Sequence, residues 1–349
     1  MGGGTSGHGM RHDVVGTRSV PVMSDVARLA GVSHMTVSRV LNEPWRVRSA
    51  TRERVQSAIA ELGYRPNPAA RSLVTRRSRT IGVVALNTTF HGPASMLHGI
   101  ERAAREAGFS VSVTTVETPD PSALQSAVTR LVDQSVDGMV VIAPTLAATA
   151  TLAATPPAVP AVLVEGSSTA LPTVAVDQKL GARLATEHLL DLGHRVVHHV
   201  SGPLDWLEAE ARVEGWREAL RAARRRVPAP VVGDWTAGSG YAAGRALAAR
   251  ADLSAVFVAN DQMALGLLRA LHEAGRRVPG DVSVVGFDDV PESAYYLPPL
   301  TTVQQDFDDV GRLSIARLME HLDTPSAPVR SQLLAPRLVV RASTASPSA

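Results

Sequence analysis

The sequence predicts a small all-α domain joined to a larger, two-lobed α/β body with parallel sheets. The first observation is a series of short helical segments between residues 23 and 62. The second is a change of pattern at Thr80, after which apolar runs alternate with amphipathic stretches, as in parallel α/β proteins. The third is length, because roughly 260 residues exceed a usual single doubly wound sheet and favour two lobes.

The composition excludes several classes of protein. The 349 residues include no cysteine, which excludes disulfides, thiolate catalysis and cysteine–metal sites. No apolar stretch approaches the ~20 residues that span a bilayer. Residues 1–22 are rich in glycine and polar residues and lack the apolar core of a secretory signal, so we expect a disordered leader on a cytoplasmic protein. The missing signal also argues against a secreted binding protein.

The charge is unevenly distributed along the chain. Residues 1–80 hold 13 Arg and five acidic residues, a net charge of +8, and the remainder holds 22 basic and 28 acidic residues, a net charge of −6. A basic head on an acidic body suits binding to the phosphates of double-stranded DNA. The alternative is a solvated basic segment with no partner.

The head is predicted to contain a helix-turn-helix. Polar residues stand at the start of its second helix, where base edges are read in such motifs. The alternative is an ordinary helical hairpin. Helices are expected to begin at Ser24, at Ser33 and at about Ala50, and to end before Gly31, at about Asn42 and before Gly63. Six apolar residues can pack the first two helices together: Val26, Ala27, Ala30, Val32, Val37 and Val40.

Seven stretches distributed over roughly residues 23–341 carry a family resemblance: 23–42, 47–55, 61–67, 187–194, 259–266, 284–289 and 297–307. They resemble the LacI/GalR family of transcription regulators. The resemblance implies a homodimeric repressor that binds double-stranded operator DNA and has a two-lobed body like that of periplasmic sugar-binding proteins. It also implies control by a small sugar, with a galactoside as the leading ligand. The alternative is another glycoside or a small metabolite, which acts as a co-repressor in some relatives. The resemblance implies no enzymatic activity, no cofactor and no membrane partner.

The resemblance also suggests domain boundaries. It gives a leader (1–22), a helix-turn-helix domain (23–66), a hinge helix and linker (67–79), a two-lobed body (80–341) and a disordered tail (342–349). Within the body, the N-lobe spans about 80–176 plus 305–334, and the C-lobe about 177–304 plus 335–341. The tail has no leucine heptads, so a dimer is expected rather than a coiled-coil tetramer.

DNA-contacting residues follow from the resemblance position by position. His34, Met35 and Arg39 would enter the major groove, where Arg39 suits bidentate contact with a guanine. Asn67–Val74 would be a hinge helix that folds on DNA, with Leu73 wedged between base steps, although an ordinary linker leucine is the alternative. The remaining residues expected to contact DNA or support docking are Ser33, Thr36, Ser38, Asn42, Thr51, Tyr64, Asn67, Ala70 and Arg71.

The resemblance assigns an effector site to the cleft between the lobes. Arg212, Asn260 and Asp288 would hydrogen-bond sugar hydroxyls, and Trp235 would stack on the ring. An apolar wall would come from Phe90, Pro93, Met96 and Phe307. Structural alternatives remain open: a strand-end cap for Asp288, a surface position for Arg212, core packing for Trp235 and helix-start packing for Phe307. Leu146 stands where the family pattern has an acidic residue, so one hydroxyl contact is lost or supplied differently.

Two motifs could point to an enzyme or a metal site instead. Residues 238–244, Gly-Ser-Gly-Tyr-Ala-Ala-Gly, superficially resemble a dinucleotide loop, but their spacing is wrong and a glycine-rich helix start is the simpler interpretation. Residues 194–199 hold three histidines on a predicted strand without an obvious acidic partner. We therefore expect neither a dinucleotide-binding enzyme nor a metal site.

Overall fold

The computed structural model describes residues 1–2, 21–65, 77–86, 88–117 and 120–347. The chain divides into two compact units, Met1–Arg76 and Arg77–Ala349. The predicted hinge positions Asn67, Ala70, Arg71 and Leu73 lie outside the described residues, as does most of the leader, so those expectations stay predictions.

The head contains three helices, α1 (Met23–Ala30), α2 (His34–Asn42) and α3 (Ser49–Leu62), with a 3-10 turn at Pro44–Arg46. Helix α2 starts at Ser33 as predicted, with Ser33 as its N-cap: the Ser33 side chain accepts a hydrogen bond from the Thr36 amide at 3.2 Å. The prediction that the first helix begins at Ser24 is wrong. The helix begins at Met23, and the Asp25 carboxylate instead accepts from the Val22 amide at 3.0 Å.

A small apolar core holds the three head helices together. Val26, Val37 and Val55 are fully buried, one from each helix. Gly31 and Gly63 end α1 and α3 in the left-handed conformation, at φ +64° and +61°. Glycine adopts this conformation at little steric cost, so the sharp turns at these helix ends leave the core side chains facing each other.

The body contains eight further helices and twelve strands among the described residues. The helices are α4 (His91–Glu106), α5 (Pro121–Asp133), α6 (Leu146–Ala154), α7 (Gln178–Asp191), α8 (Leu207–Ala222), α9 (Ala237–Ala248), α10 (Asp261–Glu273) and α11 (Phe307–Asp323). The strands are β1 (Thr80–Leu86), β2 (Ser110–Val116), β3 (Gly138–Ile142), β4 (Ala161–Val164), β5 (Thr173–Val176), β6 (His198–Ser201), β7 (Val231–Val232), β8 (Ala255–Val258), β9 (Ser283–Asp288), β10 (Thr301–Gln304), β11 (Ser331–Leu334) and β12 (Arg337–Val339).

The strands form two six-stranded sheets, each the centre of one lobe. The N-lobe sheet has the order β11-β5-β4-β3-β1-β2, and the C-lobe sheet has the order β12-β10-β9-β8-β6-β7. All neighbours are parallel except β10 and β12. The chain passes between the lobes three times, after β5, after β10 and after β11. Three crossings at one side of a cleft form a hinge of the kind that lets two lobes close on a ligand.

The C-terminal segment differs from its prediction as a disordered tail. Ser343 is fully buried; its hydroxyl accepts from the Thr301 amide at 2.8 Å and donates to the Val284 carbonyl at 2.6 Å. The Ala345 carbonyl accepts from the Ser283 hydroxyl at 2.9 Å. Serine and threonine hydroxyls can hydrogen-bond to the backbone groups of neighbouring strands. Composition alone does not show whether a segment rich in these residues makes such bonds.

The glycines of residues 238–244 lie in helix α9, which Thr236 caps through a hydrogen bond from the Ser239 amide at 3.2 Å. A β-carbon on Gly240 would overlap the Met263 carbonyl of α10, and one on Gly266 would overlap the Ala237 carbonyl of α9. These glycines therefore allow two helices to pack closely, which agrees with the helix-start interpretation of the motif.

Gly240→Ala is expected to lower the free energy of unfolding by ~1–3 kcal/mol, because its methyl group forces two packed helices apart. Gly238→Ala is the matched control on the same helix, since the nearest atom to its β-carbon would be the Thr236 hydroxyl at 3.6 Å. Urea unfolding followed by circular dichroism measures both. Equal losses in the two variants would contradict the close-packing role.

Candidate functional site

The cleft between the two lobes of the body contains a cavity with an empty volume of about 340 Å³, including its open mouth. Seven of the eight predicted effector-site residues line it, and Phe307 does not. Phe307 belongs to the N-lobe core, where its ring packs edge-on against His91 at 5.8 Å. The lining residues are Phe90, His91, Gly92, Pro93, Met96, Trp206, Glu208, Arg212, Trp235, Asn260, Asp288 and Gln305.

The Arg212 guanidinium is the polar centre of the cleft. Helix α8 presents it, and only 2% of the residue is exposed. Nε donates to Gln178 Oε1 at 2.9 Å, and Nη1 donates to the Ala259 carbonyl. The guanidinium also lies 3.8 Å from the centre of the Phe287 ring, within the range of a cation–π contact. These contacts fix the cation before any ligand arrives.

Asp288 ends strand β9 beside this cation. Its Oδ1 lies 3.8 Å from Arg212 Nη2 and accepts a hydrogen bond from Gln305 Nε2 at 2.7 Å. Burial raises the pKa of Asp288 above its ordinary value, against the lowering effect of Arg212. The backbone φ of +108° is strained for an aspartate, and such strain is typical of functional positions.

Asn260 connects the cleft to helix α10. Its Oδ1 accepts from the Met263 amide at 2.9 Å and so caps the helix, and its Nδ2 donates to the Trp235 carbonyl at 3.0 Å. Trp235 is held at a φ of +73°. A β-carbon on Gly202 would overlap the Trp235 ring, so this glycine provides the space for the ring.

An aromatic wall lies beside the polar groups. Trp206 packs edge-on between Phe90 at 5.7 Å and Trp235 at 5.6 Å. The sequence reasoning missed Trp206, because it lies in a loop without periodicity. The same stretch bridges the lobes through two backbone hydrogen bonds, Leu207 to Pro144 at 2.8 Å and Leu146 to the Asp205 carbonyl at 3.3 Å.

The sequence reasoning also missed a group of polar residues at the hinge side of the cleft. Gln178 Nε2 donates to Gln305 Oε1 at 2.8 Å and to Glu165 Oε2 at 3.2 Å. Burial raises the pKa of Glu165 to about 7 and that of Glu208 to about 8. Carboxyl groups with such pKa values exchange protons near neutral pH, so the charge of the cleft depends on what occupies it.

The head presents most of its predicted DNA-contacting residues on or beside α2. His34, Met35 and Arg39 are exposed, and Met35 is 64% exposed. Asn42, the last residue of α2, donates from its side chain to the Ser38 carbonyl at 3.0 Å. Tyr64 differs, because its ring is buried in the head core. The other described members of the predicted set, Ser33, Thr36, Ser38 and Thr51, are exposed or half-buried.

The three histidines of residues 194–199 are buried in the interior of the C-lobe. His199 stacks on Phe257 at 4.6 Å, and burial lowers the pKa of His199 to about 3. His194 contacts the Ser254 and Ser283 hydroxyls at 3.1 and 3.0 Å. In the described part of the chain, no cluster of three or more His, Asp or Glu side chains could hold a metal ion, and no helix has the length and apolar character to cross a bilayer.

A three-helix head with an exposed recognition helix, attached to a body with a polar and aromatic interlobe cleft, defines a ligand-responsive DNA-binding regulator. Comparison with known proteins is consistent with this class. Residues 22–67 match the bacterial regulatory proteins of the lacI family, and residues 186–344 match the periplasmic binding protein-like domain.

The lactose operon repressor of Escherichia coli (strain K12) is 39% identical over 327 residues, 93% of this chain and 91% of that protein. The crystal structure of the lac repressor dimer bound to operator and the anti-inducer ONPF is similar with a TM-score of 0.84, 38% identity and coverage of 93% of this chain and 99% of that one. A complex of the transcriptional regulator CelR with cellobiose has a TM-score of 0.69, 34% identity and the same coverage. The chain belongs to the lacI family of bacterial regulatory proteins and is a DNA-binding transcription regulator.

Arg212→Ala is expected to lower the free energy of unfolding by ~3–5 kcal/mol, because it leaves the buried Asp288 carboxyl without its cation. Arg221→Ala, on the exposed last turn of the same helix, is the control and is expected to have little effect. Chemical unfolding at pH 7 compares the two variants. An Arg212→Ala protein as stable as the control would mean that the cation is not needed to bury Asp288.

Proposed function

We propose that the chain is a repressor that binds operator DNA as a homodimer and whose DNA affinity is controlled by a small sugar in the interlobe cleft. The observation that carries the proposal is the grouping of Arg212, Asn260 and Asp288 against the ring of Trp235. Fixed polar groups beside a flat aromatic face are what a sugar requires, because its hydroxyls need directed hydrogen bonds and its ring has an apolar side.

A galactoside is the leading effector in this proposal. The similarity to the lactose operon repressor supports it. The similarity to a regulator in complex with cellobiose supports the alternative, a different glycoside or another small metabolite. Leu146 is 52% exposed and brings no polar group to the cleft, so one hydroxyl contact of the family pattern is lost or supplied by another residue. Phe307 would not touch the ligand; it would support His91, which lines the cavity.

For DNA, the proposal uses the exposed start of α2. His34, Met35 and Arg39 read bases in the major groove, while neighbouring hydroxyl and amide groups hold phosphates. Tyr64 stabilises the head core by packing within it. The proposal keeps the predicted hinge helix and linker at residues 67–79, with Asn67, Ala70, Arg71 and Leu73 assigned to the minor groove; these four positions lie outside the described residues. Because the bacterial chromosome lies in the cytoplasm, the protein works there, and it acts without catalysing a reaction.

The control mechanism follows from the three interlobe crossings. Pro93 and Met96 belong to the N-lobe, and Arg212, Asn260 and Asp288 belong to the C-lobe. A ligand that contacts both sets favours one arrangement of the lobes. In the proposal, that arrangement separates the two hinge segments of the dimer, and short helices that are marginal alone then unfold.

A thermal-shift screen tests the effector class directly. Lactose, methyl β-galactoside, cellobiose, ribose and a purine base are compared at millimolar concentration, because binding to the folded state alone raises the melting temperature. The proposal expects a galactoside to give the largest shift and to change DNA mobility in a gel. A shift with the purine only, or with none of the compounds, would contradict it.

Arg39→Ala is expected to relax base preference at one operator position, at a cost of ~1–3 kcal/mol. Arg76→Ala, in the basic linker, is the comparison and should weaken binding to all sequences about equally. Binding to a set of single-base operator variants measures both effects. If both variants lose affinity without regard to sequence, α2 is not the recognition helix.

Asp288→Asn is expected to leave DNA affinity unchanged while removing the response to sugar, because it alters the cleft and not the head. Asp205→Asn is the control, since Asp205 is exposed beside the cleft and uses only its backbone carbonyl there. Gel shifts across a sugar titration report both properties. A normal sugar response in Asp288→Asn would exclude this carboxylate from the effector site.

A further inference from the structure

Glu208 occupies an unusual position in the cleft. It lies in the first turn of α8, four residues before Arg212, and its side chain lines the cavity. Only 7% of the residue is exposed. The carboxyl group of a residue buried to this extent normally has hydrogen-bond partners or a paired cation, because burial of an unsatisfied charge is costly.

Glu208 differs in this respect from the other buried carboxyl groups among the described residues. Glu165 accepts from the Val176 amide at 2.8 Å, Asp261 accepts from the Thr302 hydroxyl at 2.6 Å, and Asp288 accepts from Gln305 at 2.7 Å. For Glu208, the described part of the chain provides neither a hydrogen bond nor an ion pair. Its carboxyl oxygens are not fully buried and face the cleft, so their hydrogen-bond partners are water or a bound ligand.

The charges that face Glu208 come from three elements. Glu165 follows β4, Asp288 ends β9, and Arg212 lies one turn along α8. One guanidinium is thus surrounded by three carboxyl groups, and it is already bonded to Gln178 and to the Ala259 carbonyl. Burial, and after it the neighbouring Glu165, raise the pKa of Glu208 to about 8, which favours its protonated form at neutral pH. A ligand that donates hydrogen bonds would displace this proton to solvent.

We propose that Glu208 is a specificity-determining residue of the effector site and accepts hydrogen bonds, as a carboxylate, from a donor group on the effector. The inference rests on the proposed function, since it assumes that a sugar occupies the cleft. Two donor groups share this chemistry, namely neighbouring hydroxyls of a neutral sugar and the ammonium of an amino sugar. The aromatic wall of Phe90, Trp206 and Trp235 beside Glu208 can accommodate either, because ring faces attract both C–H groups and cations.

The first experiment examines the free protein and compares Glu208→Gln with Glu210→Gln. Glu210 lies in the same helical turn but is exposed, so it controls for the helix dipole. The pKa of Glu208 is raised by folding, so its contribution to stability is complete below the unfolded pKa near 4.5 and is lost as the pH rises to about 8. Glu208→Gln should therefore gain melting temperature relative to wild type between pH 5.5 and 8.5, and Glu210→Gln should not. No such gain would show that Glu208 is satisfied within the chain and would overturn the inference.

The second experiment measures sugar binding by calorimetry, with methyl β-galactoside, cellobiose and galactosamine as probes. A probe that binds wild type should bind Glu208→Gln about 10- to 100-fold more weakly, because a hydrogen bond to a charged group is lost. For the neutral sugars, wild-type affinity should rise with pH up to about 8, and this rise should be absent in Glu208→Gln. A loss confined to galactosamine identifies an ammonium, and a similar loss for the neutral sugars identifies hydroxyls.

The two proposals fail in different ways. Equal affinity of wild type and Glu208→Gln for a bound sugar overturns the assignment of Glu208 and leaves the proposed function intact. No binding of any of the three sugars to wild type contradicts the proposed function, and the role of Glu208 in sugar recognition falls with it.

Discussion

The buried Arg212 guanidinium is the constraint on which the rest of the cleft depends. A lone cation in a protein interior requires partners, and here they come from separate parts of the body: the Ala259 carbonyl after β8, Gln178 after the first crossing and Asp288 at the end of β9. Gln178 in turn contacts Gln305 after the second crossing and Glu165 in the N-lobe. One charge thereby organises a hydrogen-bond network that spans the hinge, and such networks become rigid when fully satisfied.

The same network explains how ligand binding in the cleft can change the arrangement of both lobes. The polar groups are held by each other, whereas the aromatic residues Phe90 and Trp206 meet across the cleft through edge-on contacts that a ligand could rearrange. Three crossings leave relative movement of the lobes as the accessible motion, because each lobe has its own sheet and core. A ligand therefore acts by favouring one lobe arrangement, and it can do so only through contacts that differ between arrangements.

The sequence was sufficient for the elements with strong local signals. The three head helices and the long apolar strands of both lobes follow from periodicity and turn residues, and seven of the eight residues that the family resemblance assigned to the cleft line it. Strands β7 and β12 have only two and three residues, too few to show the alternation of a strand, and their pairing depends on the neighbouring strand. Gln178 and Gln305 lie 127 residues apart and meet only because two crossings converge, so no local pattern could reveal their contact.

The central claim is that sugar binding in the cleft and operator binding by the head are coupled in free energy. Calorimetric titration of the protein with its strongest-binding sugar, first alone and then in the presence of saturating operator DNA, tests it most directly. Thermodynamic linkage requires that operator changes the sugar affinity by the same factor as sugar changes the operator affinity, typically ~5- to 150-fold. We expect weaker sugar binding to the operator complex. Equal sugar affinities in the two titrations would contradict control of the head by the body.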